Sequence, residues 1–355
     1  EAARRTWNGR SSDAKGGDVH DDDGAEAAFP ADMMREWTDA WGRTRASELA
    51  RTLSASPPVA VRVGRRRDVG AVVESLSSEL GREFRPSRTS PVGFLCDDYA
   101  PVAGSSAHEG GLCAVQDAGS QLLSLFALWP ERFAPFLSPS PGETPTPASE
   151  AIPLPRWSKK GLKVVDACAG AGGKSLAMAD LLGGQGKVFA YDVAPWKLKR
   201  LRKRAKATDL RNIQTVEVKD GDELSSIPPK HLGSADIVLV DAPCSGWGTL
   251  RRNPDLKFRQ TAKEREHLAE LQLRLLRVYA PLVRPGGRLV YGTCTFRPEE
   301  TRDVVARFLA DADAADGGGE SGGRSGGDFS AGEEGYLGPS PEADGFFMAS
   351  LTKLQ

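Results

Sequence analysis

Val164-Val-Asp-Ala-Cys-Ala-Gly-Ala-Gly-Gly-Lys-Ser175 joins an apolar run to a glycine turn and a helix start. Glycines let the backbone approach a ligand closely, and the start of a helix leaves N–H groups free. Outward from this stretch, strands and helices alternate. The apolar spacing predicts strands over 162–166, 187–192, 213–218, 237–241 and 288–292. Helices are expected over 174–182, 195–207, 262–280 and 298–309, and a closing strand over 345–351. That succession predicts an α/β fold with a doubly wound, mostly parallel sheet.

The flanks are less regular. Residues 1–28 are polar and charged and read as a disordered leader. Helical spacing follows at 33–41, 45–53 and 69–80, with a strand-like alternation at 59–63. An irregular stretch runs to about Gly111, and 117–133 reads as a helix. We therefore expect a small α+β domain over 29–115 and the large α/β domain over 116–355. Two segments within the large domain, 137–158 and 311–335, are expected to be flexible insertions because their composition is polar and rich in Pro, Ser or Gly.

Composition sets bounds. The chain has 355 residues, 27% charged and 39% hydrophobic, enough for large cores. No apolar run reaches membrane-spanning length, so no membrane is expected. A net charge of -1 gives no global basic field. The run from Lys197 to Lys206 is densely basic, which most simply makes a solvated helix face. Five cysteines without Cys-x-x-Cys spacing, and four distant histidines, argue against disulfides or a metal site and for a reducing compartment. The chain starts at Glu1 without methionine, as a fragment or processed form does.

Three ligands could meet the glycine loop. A Walker A loop needs glycine where Cys168 stands, and a dinucleotide fingerprint needs one where Ser175 stands. The third is S-adenosylmethionine, with acidic Asp166 at the strand end. Its ribose would want a carboxylate at the end of the next strand, where Asp192 lies; Asp192 could equally cap the following helix. Asp222, preferred to Asp220 because Gly221 permits a tight turn, could accept from the adenine amino group.

Cys244, in Val-Asp-Ala-Pro-Cys-Ser-Gly246, and Cys294, in Tyr-Gly-Thr-Cys-Thr295, each follow an apolar run at a turn. In an open α/β sheet that edge binds ligands. A thiolate adding to pyrimidine C6 makes C5 nucleophilic toward a sulfonium methyl. The two thiols offer one group for attack and one for release. Asp241 could hold the cytosine edge, and Lys174 lies between cofactor and substrate. Cys96, Cys113 and Cys168 read as small buried hydrophobes.

The motifs Asp166–Ser175, Asp241-Ala-Pro-Cys-Ser-Gly-Trp-Gly248, Arg251-Arg-Asn-Pro-Asp255 and Tyr291-Gly-Thr-Cys-Thr-Phe-Arg-Pro-Glu-Glu300 resemble the Fmu/Sun (RsmB-type) family of RNA cytosine-C5 methyltransferases. The resemblance implies a Rossmann-like class I methyltransferase fold with an antiparallel last strand, preceded by a small domain that binds RNA. It implies that Cys294 is the nucleophile and Cys244 assists release. It also implies that Cys168, Ala169, Gly170, Ala171, Gly172, Gly173, Lys174, Asp192, Asp222 and Asp241 line the S-adenosylmethionine pocket. Ala171 stands where the family often has proline. Residues 1–28 are too short for the additional helical RNA-binding domain of the bacterial rRNA enzymes. Position suggests Arg251, Arg252 and Lys257 as phosphate clamps on an rRNA or tRNA whose cytosine is single-stranded or flipped. A monomer is expected. A DNA cytosine methyltransferase using Cys244, or a non-catalytic RNA-binding assembly factor, are the competing readings; the first leaves Cys294 unexplained.

Overall fold

In the computed structural model, residues 22–65, 67–141, 154, 161–221, 223–259, 261–310 and 328–355 are described. Two sheets organise them. The small sheet contains β1 (Val59–Val63), β2 (Arg85–Pro86), β3 (Gly93–Cys96) and β4 (Cys113–Val115), in the order β2-β3-β1-β4 and antiparallel throughout. The large sheet contains β5 (Leu162–Asp166), β6 (Gly186–Asp192), β7 (Ile213–Glu217), β8 (Ala235–Asp241), β9 (Val283–Thr293), β10 (Phe329–Leu337) and β11 (Phe346–Lys353). Their order is β10-β11-β9-β8-β5-β6-β7.

Strands β5 to β9 run parallel, and β11 is antiparallel to β9. The chain builds outward from β5 to β7, then returns to place β8 on the other side of β5. That reversal opens a crevice at the carboxyl ends of β5 and β8, the usual ligand position in such sheets. Residues 235–240 of β8 are all buried, as expected for a central strand covered on both faces.

Helices cover both faces: α1 (Ala31–Trp41), α2 (Arg43–Ser54), α3 (Val69–Leu80), α4 (Ala118–Leu128), α5 (Gly173–Leu181), α6 (Pro195–Ala207), α7 (Ala262–Tyr279) and α8 (Arg302–Ala310). Asp68 caps α3 and Asp117 caps α4, while Thr261 and Glu264 form a reciprocal capping box on α7. Helices α1 and α2 pack into the core of the large sheet. Trp37 of α1 meets Trp247 at 6.1 Å and Phe296 at 6.0 Å between ring centroids. Those aromatics belong to the loops after β8 and β9, so α1 supports both loops from behind. The small sheet has its own core around Val61, Leu76, Phe84 and Cys96.

Three expectations need correction. Residues 22–28, assigned to a disordered leader, contain a helical turn (Asp22–Glu26) whose Glu26 accepts from Ser47, and Lys257 donates to the Ala28 carbonyl. Residues 329–335, assigned to a flexible insertion, lie in β10. This edge strand pairs with β11 and, at Tyr336 alone, with Ser138; Phe329, Gly335, Tyr336 and Leu337 are buried and the rest face water. Its polarity reflects the edge position rather than a lack of structure. The irregular stretch before Gly111 contains β2 and β3, which are too short for periodicity to reveal. Most of 137–158 and all of 311–327 lie outside the described residues.

Candidate active site

The loop after β5 is held by the backbone. Ala167 N–H donates to Leu239 O and Ala169 N–H to Tyr191 O, tying the loop to both neighbouring strands at 2.8 Å. Gly172 has φ +86° and a Cβ there would sit 2.4 Å from the Leu201 side chain, so glycine is required twice over. Gly170, at φ +55°, faces open space. Its N–H donates to Asp192 Oδ2 at 2.7 Å, while Asp192 Oδ1 accepts from Ala194 N–H at 2.8 Å. Asp192 thus latches the glycine loop to the turn that precedes α6, a helix with no side-chain cap, and each oxygen keeps a lone pair for a further donor.

At the loop base Asp166 is buried. Its Oδ2 accepts from Ser175 Oγ at 2.6 Å, and its Oδ1 meets no donor among the described residues. Burial raises its carboxyl to about 7, opposed by the Ser175 bond and assisted by the Asp241 charge. Lys174, on the first turn of α5, donates to Asp241 Oδ2 at 2.6 Å across the crevice. Burial lowers the Lys174 pKa, but the Asp241 partner outweighs it and holds the ammonium above its ordinary value.

The thiols lie beside this pair. Cys244 Sγ and Cys294 Sγ are 3.3 Å apart, within S–H···S hydrogen-bond reach. Their loops are laced together: Gly248 N–H donates to Cys294 O at 2.9 Å, and Ser245 Oγ bonds Thr295 Oγ1 at 2.8 Å. The Cys294 contact and burial push the Cys244 thiol well above its usual value. Cys244 therefore keeps its proton at neutral pH. Cys168 is also held as a neutral thiol, by burial and by the Asp241, Asp166 and Asp192 charges.

Residues 158–352 match the family model described as 16S rRNA methyltransferase RsmB/F. The chain belongs to the RsmB/F family. It is 31% identical over 291 residues to a Synechocystis protein named probable ribosomal RNA small subunit methyltransferase B, covering 81% of this chain and 58% of that protein. A Klebsiella pneumoniae ribosomal RNA small subunit methyltransferase B is 28% identical over 326 residues, covering 90% and 64%. The chain thus spans less than two thirds of these relatives. Its fold is shared with the NSun6 structure from Pyrococcus horikoshii with SFG, at a TM-score of 0.69 and 17% identity, covering 92% of this chain and 99% of that one.

Within this RsmB/F chain the structure gathers Cys168, Lys174, Asp192, Asp241, Cys244 and Cys294 around one crevice. Asp222 lies outside the described residues. The three expected phosphate clamps are placed elsewhere. Arg251 is buried and donates to Asp344 Oδ1 at 2.7 Å and to Ser340 O. Arg252 bonds Asp344 Oδ2 at 2.6 Å and Asp117 Oδ2 at 2.9 Å. Lys257 donates to Ala28 O and lies 4.5 Å from the centre of the Phe29 ring. Carboxylates meet the charges of Arg251 and Arg252, which gives those two structural roles in place of the expected clamp, whereas Lys257 meets only a carbonyl and a ring.

Sequence reasoning gave no role to Glu300 and Gln272, both fully buried. Glu300 Oε2 accepts from Ser245 N–H at 2.8 Å and from Gln272 Nε2 at 3.0 Å, and the same Nε2 reaches Pro243 O at 2.8 Å. The two clamp the turn carrying Cys244. The only sequence signal was a glutamate just after a thiol turn, and such a residue is ordinarily exposed.

Proposed function

We propose that this chain methylates C5 of cytosine in RNA, with small-subunit rRNA as the substrate class. The observation that carries the reading is the 3.3 Å Cys244–Cys294 pair beside Lys174 and Asp241, next to the glycine loop. The RsmB/F family and the relatives named for small-subunit rRNA support it.

The residues fit S-adenosylmethionine. Asp166 Oδ1 is a buried acceptor without a donor among the described residues, suited to a cationic amine. Free lone pairs on Asp192 suit a ribose diol, and the open side of Gly170 admits close approach. When bound, the cofactor supplies an electrophilic methyl group on sulfonium. Asp222 is proposed to meet the adenine edge, and Cys168 to Gly173 to line the methionine part.

Cys294 is assigned as nucleophile. Its thiolate forms a bond to C6 of the ring, which makes C5 enamine-like and able to take the methyl group. Loss of the C5 proton to a base then expels Cys294 as thiolate and restores the aromatic ring. Asp241, with Lys174 balancing its charge, is assigned to the cytosine N3 and exocyclic amine edge. Cys244 is assigned to release. While Cys294 is a thiolate it holds the Cys244 proton in place; once Cys294 is bonded to carbon that constraint is gone, and Cys244 is free to exchange protons near C5.

The test is a pair of variants incubated with RNA and S-adenosylmethionine. Cys294→Ala should give neither 5-methylcytidine nor a covalent adduct. Cys244→Ala should accumulate an RNA–protein adduct that survives denaturing electrophoresis. The reverse pattern overturns the assignment of roles, and absence of 5-methylcytidine with the unaltered protein overturns the reaction.

A further inference from the structure

The basic helix α6 has a job that its exposure alone does not suggest. Its charges divide into groups. Arg202 donates to Thr215 of the edge strand β7 at 2.8 Å, and Lys197 lies over the ring of its neighbour Trp196. Arg200, Lys203 and Arg204 turn instead toward the small sheet. With Arg62 and His108 they line a cavity of about 760 Å³ between α6 and β4, where Glu109 is the one carboxylate among the described lining residues. The cavity has a fixed end. Gly111 packs so closely on α6 that a Cβ there would lie 2.3 Å from Ala207 O, so the two units meet backbone to backbone.

Positive charge predominates in the lining, with Arg62, Arg200, Lys203 and Arg204 against Glu109. Arg62 is bonded to Gln116 at 2.9 Å and lies 3.9 Å from Asp180, which accounts for its charge. No carboxylate among the described residues comes within 4.0 Å of Arg200, Lys203 or Arg204. Burial lowers the Arg204 pKa, and so does the neighbouring Arg200 charge. Arg204 thus sits against the like charge of Arg200, and a polyanion in the groove would relieve that repulsion. Arg204 also donates to Ala171 O at 2.8 Å, so the groove abuts the glycine loop.

We propose that the groove between α6 and β4 holds the sugar–phosphate backbone of the substrate RNA and positions the strand whose cytosine reaches the thiols. This rests on the methyltransferase reading above and adds where the strand lies. Cations at positions i, i+3 and i+4 of one helix form a stripe that follows a phosphate chain. Such contacts set register without reading sequence. The half-exposed Val115 beside them offers apolar surface to a ribose or base. Attraction is local, which suits a chain whose total charge is -1.

The test uses polycytidylic acid as probe, with the full chain, over a series of salt concentrations. Arg200 and Lys203 are exposed, so Arg200→Glu/Lys203→Glu should fold, with Arg200→Gln/Lys203→Gln as the milder second pair. Thermal midpoint and calorimetric affinity for S-adenosylmethionine should match the unaltered protein. The slope of log affinity against log salt should fall by about 1.4, at about 0.7 per lost phosphate contact on a single strand. Affinity near 0.1 M salt should fall by about tenfold or more. Arg200→Lys/Lys203→Arg should retain both. A folded, cofactor-competent charge-reversed protein with unchanged affinity and slope overturns the groove while leaving the methyltransferase reading intact. An unaltered protein that neither binds polycytidylic acid nor forms 5-methylcytidine overturns both.

Discussion

Asp166 concentrates the electrostatics of the site in one side chain. It is 1% exposed, and burial has carried its carboxyl to about 7. An unfolded aspartate titrates near 3.9. Between the two values the native state holds a proton that the unfolded state has lost. This group's contribution to stability is therefore complete below about pH 4 and disappears as pH rises through 7. Asparagine keeps an oxygen for Ser175 and cannot ionise. Relative to the unaltered protein, Asp166→Asn should gain about 2–4 kcal/mol of stability between about pH 5 and pH 8, read by urea unfolding without cofactor. A difference that is flat or of opposite sign with pH would mean that Asp166 is not the buried acid described. The same variant should bind S-adenosylmethionine more weakly, since it lacks the charge assigned to the amine.

At the scale of elements, function depends on two turns, after β8 and β9, being held against each other. Gly248 is the tightest point. Its N–H bonds Cys294 O, its carbonyl accepts from Gly345 N–H, and a Cβ would lie 2.1 Å from Gly345 O. Backbone cannot step aside as a long side chain can. Gly248→Ala should cost about 1–3 kcal/mol in urea unfolding and disturb the spacing of the thiols. Lost Cys244→Ala adduct formation in a Gly248→Ala background would report that disturbance; wild-type stability and adduct yield would show the contact to be slack. The turns were legible because Cys244 and Cys294 end apolar runs, and α5 to α8 keep helical spacing. Strand β10 was not legible: as an edge strand it buries only its ends, and a polar run looks the same in a loop. Nor could Arg251 be read. A charge in sequence does not disclose a partner such as Asp344, which lies 93 residues away.

Across the whole molecule, that pair forms part of the connection between the two sheets. Asp344, on the approach to β11, accepts from Arg251 and Arg252 on the segment following β8. Arg252 continues to Asp117, whose Oδ1 caps α4 through Gly119 N–H at 2.8 Å, and lies 3.5 Å from Pro58 O just before β1. The Arg251 and Asp344 side chains are 1% and 3% exposed. Removing one partner of such a pair leaves a buried charge alone, which costs about 3–5 kcal/mol. Asp344→Asn should therefore lower stability by that amount, with little relief from added salt, because buried pairs are weakly screened. Replacing both partners by apolar residues, Arg251→Met with Asp344→Leu, should cost less than Asp344→Asn alone. The alternative role makes the opposite forecast. Were Arg251 a phosphate clamp, Arg251→Met would leave the unfolding midpoint unchanged and weaken RNA binding. A buried partner of Asp344 requires the reverse order of effects, with stability lost first and RNA affinity altered only as the folded fraction falls.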